Sequence, residues 1–89
     1  MYLLHIGNDI ILKKEEIIGI FNLDNLKAKE EFMNNYEQKL SENKIIKLNQ
    51  KEEKSLIIVQ KNQEILWYIS NINSTTLQKR HNDFKRLKI

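Results

Sequence analysis

With 89 residues and neither cysteine nor proline, the chain has the length of one domain and excludes a disulfide framework, a thiolate metal site and a thiol nucleophile. Its formal charge of +3 is unevenly spread: residues 1–43 carry 5 Lys against 8 acids (net −3), whereas residues 44–89 carry 10 Lys plus Arg against 4 acids (net +6). The basic half suits a phosphate-bearing partner or simply a solvated surface, since such a balance is also common in proteins that never touch nucleic acid. The opening MYLLHIGND lacks a basic leader with a long apolar core, and no apolar run nears the roughly 20 residues that span a bilayer, so a single cytoplasmic domain over 1–89 is expected.

In chain order, Tyr2 to Ile6 and Asp9 to Leu12 flank Gly7-Asn8, the signal of a two-residue hairpin turn. Lys13-Lys14-Glu15-Glu16 forms a charged corner. Ile17 to Phe21 is a third strand in which Gly19 marks a bulge or a close approach of a packed neighbour. From Asp24 or Asn25, either of which can serve as N-cap, through Asn43, the spacing of Leu26, Phe32, Met33, Tyr36 and Leu40 predicts one long amphipathic helix. Its aromatic stripe is core packing. Lys44 to Leu48 reads as a short edge strand whose lysines shield it.

Lys54 to Arg80 is the centre of the pattern. Leu56 to Val59 and Ile65 to Ile69 are β-branched and aromatic runs around the polar Gln60 to Glu64, which predicts a hairpin with Trp67 buried. Neither run alternates with polar residues, so both faces of this hairpin need cover. One helix covers one face, and a neighbouring subunit is the expected cover for the other. Asn73-Ser74 then supplies N-cap chemistry for a short C-terminal helix with Leu77, Phe84 and Leu87 inward and Lys79, Arg80, Lys85, Arg86 and Lys88 outward. The expected fold is α+β: a small bent antiparallel sheet of five or six strands, one long helix and a short C-terminal helix.

Catalytic constellations are missing. His5 and His81 lie far apart in sequence, neither with a carboxylate or cysteine at ligand spacing, so no metal site is expected. Gly7 and Gly19 serve a turn and a strand and form no phosphate-cradling loop. Glu15-Glu16, Glu30-Glu31 and Glu52-Glu53 read as solvated charges rather than acid–base pairs. A non-enzymatic protein with no cofactor and no small-molecule substrate is expected.

The run Lys54-Ser55, four apolar residues, a polar turn, an aromatic strand ending Ile69-Ser70, and then Ser74-Thr75-Thr76-Leu77-Gln78-Lys79-Arg80 resembles the RemB branch of the extracellular matrix regulator family. Tyr2, His5-Ile6-Gly7-Asn8-Asp9 and Ile17-Ile18-Gly19-Ile20-Phe21 resemble that family's opening. The resemblance implies a bacterial regulator of matrix (biofilm) genes, forming a ring-shaped homo-oligomer larger than a dimer that binds double-stranded DNA. Relatives of the RemA type carry consecutive arginines in the loop before the fifth strand, a loop linked to DNA contact. This chain has Lys51-Glu52-Glu53-Lys54 there, and Glu16 where such relatives have another arginine. Lys13, Lys14, Lys51, Lys54, Lys79 and Arg80 are accordingly the candidate phosphate contacts, and for Arg80 an ion pair tying the helix to the body is an equal alternative. The competing function is an oligomeric scaffold or protein-interaction module that does not bind DNA.

Overall fold

The computed structural model describes residues 3–49 and 51–87, with side chains described as far as residue 82. The expected inward Phe84 and Leu87 and the basic Lys85, Arg86 and Lys88 lie outside the described side chains. Six strands form two sheets: β1 (Leu3–Gly7) and β2 (Ile10–Lys13) make a separate antiparallel hairpin, while β3 (Ile17–Asn22), β4 (Ile45–Lys47), β5 (Ser55–Lys61) and β6 (Glu64–Ser70) make a sheet of order β3-β5-β6-β4. The domain is therefore α+β, as its patterning predicts. The sheet is not wholly antiparallel, because β4 runs parallel to β6, with Ile45 opposite Trp67 and Lys47 opposite Ile69.

The two tight hairpins turn where side-chain amides and carboxylates tolerate a left-handed backbone. Asn8 and Asp9 have φ of 49° and 61°, and Asn62 and Gln63 have φ of 51° and 67°, the positive values that primed turns require. The first turn is thus one residue later than the Gly7-Asn8 signal suggests. Gly7, at φ 119°, instead ends β1 beside an irregularity in the β1–β2 ladder. Gly19 sits at a register shift between β3 and β5, and a Cβ there would fall 2.6 Å from the Phe21 ring, so bulge and close approach coincide.

The predicted long helix is two helices, α1 (Leu23–Lys27) and α2 (Glu30–Ser41), parted at Ala28-Lys29, where Lys29 is extended. An unbroken helix of that reach would be roughly 28 Å long, and the break lets Leu23 and Tyr36 bury in one cluster. Asn22, rather than Asp24 or Asn25, is the N-cap: its Oδ1 accepts from the Asn25 amide at 3.1 Å. The C-terminal helix α3 (Ser74–Leu87) is not short; at 14 residues it exceeds α2 at 12.

Strand parity divides the core. On one face of the sheet Ile57, Val59 and Tyr68 pack with Leu4, Ile6 and Leu12 of the β1–β2 hairpin and with Leu77 of α3. On the other, Leu56, Trp67 and Ile69 pack with Leu23 of α1 and Tyr36 of α2. Trp67 is buried and stacks on Phe32, with ring centroids 5.5 Å apart. Both faces of the central hairpin are therefore covered from within the chain, and their burial does not by itself require a second subunit.

Candidate nucleic-acid interface

The loop between β4 and β5 is held by its backbone and leaves its lysines in solvent. Asn49 Oδ1 accepts from the amides of Lys51 (2.8 Å) and Glu52 (3.1 Å), closing an Asx turn. Lys54 donates its amide to the Ser70 carbonyl at 2.9 Å and accepts the Leu23 amide at 3.1 Å, so it is fixed to both β6 and α1. The side chains of Lys51 and Lys54 remain exposed.

The loop's two acids differ in what they do. Glu53 sits between Lys27 (2.9 Å) on α1 and Lys47 (3.1 Å) on β4. The hydrogen bond from Lys27 holds its carboxyl below the ordinary glutamate range, with Lys47 adding to the effect against an opposing cost of partial burial. Lys47 is correspondingly raised, first by Glu53 and then by Tyr36. Glu53 is thus a structural clamp. Glu52, exposed and 3.9 Å from Lys54, offsets part of that residue's field at a distance where an exposed pair contributes little.

A second group of cations surrounds α3. Leu77 anchors the helix in the core, Gln78 donates to the Ile20 carbonyl of β3 at 2.9 Å, and the helix lies across β3 and β1. The Lys14 ammonium, in the 3-10 turn Lys14–Glu16, donates to the His81 carbonyl, and Arg80 Nη1 donates to the His5 carbonyl at 3.3 Å. Arg80 does tie the helix to the body through a neutral carbonyl, and among the described residues it makes no ion pair. Lys13 at the end of β2 and Lys79 on α3 are exposed.

The six predicted residues therefore do not form one patch. Lys13, Lys14 and Arg80 are brought together around α3, with Lys79 beside them. Lys51 and Lys54 lie at the other end of β5, since Asn22 is opposite Ser55 while Ile17 is opposite Val59. The run from Lys54 to Val59 separates the two groups by roughly 17 Å. Lys61, at the β5–β6 turn, is a further exposed cation near the α3 end, which in the sequence reads only as part of a turn. Among the described residues no cluster of His, Cys, Asp or Glu has the form of a metal site, and no helix is long and apolar enough to cross a membrane.

A family model described as RemA-like, extracellular matrix regulatory protein A-like, matches residues 3–81. No curated protein sequence matches the chain.

Proposed function

Because the chain belongs to the RemA-like family of extracellular matrix regulatory proteins, we propose that it is a cytoplasmic, homo-oligomeric regulator that binds double-stranded DNA chiefly through phosphates and controls matrix genes. The family match over residues 3–81 carries this reading. The exposed, structurally anchored lysines of the β4–β5 loop and the cations about α3 support it, because flexible ammonium groups on a fixed backbone suit phosphate better than base edges. Weak contacts repeated over several subunits gain by multivalency, so one modest site per subunit suffices.

The test is a DNA titration at two salt concentrations, paired with light scattering. Each neutralised phosphate adds about 0.9 to the slope of log K against log salt. Lys51→Ala with Lys54→Ala is expected to flatten that slope without changing particle size. Unchanged affinity and slope would assign the contact to the α3 group alone, and no salt-dependent DNA binding by the wild type would favour the scaffold reading.

A further inference from the structure

The tip of the β5–β6 hairpin carries a backbone cost that its own packing does not explain. Among the described residues five other than glycine have positive φ: Asn8, Asp9, Asn43, Asn62 and Gln63. Four of them are Asn or Asp, the types whose short polar side chains suit the left-handed region best. Gln63, at φ 67°, is the exception, and it stands at the second central position of a primed turn, where glycine is the usual residue. A longer side chain there holds the backbone in strain that glycine would relieve.

Gln63 makes no contact within the subunit that offsets this strain. Its side chain is exposed and has no hydrogen-bond partner among the described residues. Residues 60–64 are an unbroken exposed run, so the tip stands clear of both core clusters. Glu64 pairs with Lys44, whereas Lys61 makes no ion pair among the described residues, which leaves a cation beside the open amide. Because Ile17 lies opposite Val59 and Lys61 opposite Glu64, the turn projects just beyond the start of β3, at the end of the sheet where the 3-10 turn carries Lys14. Glu15 and Glu16 belong to that same 3-10 turn and temper the field there, so hydrogen bonds, more than charge, are what the tip can add.

We infer that the β5–β6 tip enters the major groove of duplex DNA, where Gln63 reads adenine while Lys61 contacts a phosphate. This rests on the DNA-binding reading above and adds a base-reading residue to a site otherwise built from phosphate contacts. The major groove, about 12 Å wide, admits a two-stranded ribbon, and a glutamine amide matches adenine there, its N–H donating to N7 and its oxygen accepting from the N6 amino group. Lysine supplies charge without that pattern. The strained glutamine is then retained for its side chain, at the expense of stability that glycine would restore.

Gln63→Gly tests this, because it relieves the backbone and removes the reader in one step. Wild type and variant are titrated with an alternating A·T duplex and with the same duplex containing 7-deazaadenine, which lacks the N7 acceptor. The wild type is expected to lose about fivefold or more of its affinity on that change. The variant should be indifferent to it, keep the wild-type salt slope because no charge is removed, and show a higher urea midpoint. A wild type indifferent to the 7-deaza change, or a variant as sensitive as the wild type, would overturn the inference while leaving the phosphate reading intact. A lower urea midpoint for the variant would overturn it as well, since Gln63 would then serve the fold. Absence of salt-dependent binding of either duplex by the wild type would remove the DNA reading, and this inference with it.

Discussion

Gly7 ends β1 at φ +119°, and a Cβ placed on it would fall 3.2 Å from Asn71 Oδ1 and 3.6 Å from the side chains of Ile72 and Ser70. Ser70 cannot give way freely, because its hydroxyl donates to the Ile6 carbonyl at 2.6 Å and accepts the Ile72 amide at 3.0 Å. Gly7→Ala is expected to lower stability by about 1–3 kcal/mol, seen as a fall in urea midpoint. Gly19 is the contrasting case: the atom its Cβ would meet is the far end of Phe21, an exposed ring that can swing aside. Gly19→Ala should therefore cost clearly less, and an equal loss at both sites would contradict this account. Glu53 supplies a pH dependence. Its folded-state carboxyl titrates below the ordinary range, so the stability it lends is present at neutral pH and is lost as pH falls through that lowered value. Glu53→Gln should reduce stability at pH 7 by about 1 kcal/mol or less, as expected for partly solvated ion pairs, and the gap between wild type and variant should narrow as pH falls toward 3. A gap that widened on acidification would reverse the sign argued here.

At the scale of elements, the strands were legible because apolar runs of β-branched and aromatic residues bounded by Asn, Gln and Glu have few other solutions. The division of α1 from α2 was not, since Ala28 and Lys29 are ordinary helix formers and the break answers to the packing of Leu23 and Tyr36 in one cluster. Likewise no local signal says that β4 pairs in parallel with β6. Helix α3 depends on Leu77, fully buried among Leu4, Ile6 and Ile57. Leu77→Ala is expected to destabilise the fold by about 2–5 kcal/mol. Because that side chain anchors the helix carrying Lys79 and Arg80, the proposed DNA-binding function further predicts that the variant loses DNA affinity near its melting temperature before the β5–β6 sheet is lost, measurable as circular dichroism and DNA binding followed over one temperature series.

For the whole molecule, the candidate site was legible as residue types and not as an arrangement. Basic residues in the loop before β5 and on α3 stand out in the sequence, but their placement at opposite ends of β5 follows from the β3–β5 register, and Glu53 is recognisable as a clamp only once Lys27 and Lys47 are seen beside it. Two groups separated in this way should act independently. Under the proposed DNA-binding function, Lys51→Ala and Lys79→Ala are each expected to lower the salt slope by about 0.9 per subunit contact, and the double variant by about twice that. A double variant no worse than either single one would place both lysines on a common phosphate, which their separation within one subunit forbids.

The parallel seating of β4 has a consequence for the order in which the chain acquires its structure. β5 and β6 are joined by a tight turn and can zip locally, whereas β4 precedes them and can dock only on a β6 already in place, closing a long loop for three residues of pairing. It then locks after the β5–β6 hairpin and opens before it. In amide hydrogen exchange, the Leu48 amide that donates to Ile69 and the Trp67 amide that donates to Lys44 should exchange before the amides shared by β5 and β6. Transient release of β4 would bare that side of β6 and detach Lys47 from Glu53, giving the β4–β5 loop a second, looser state without unfolding the rest of the domain.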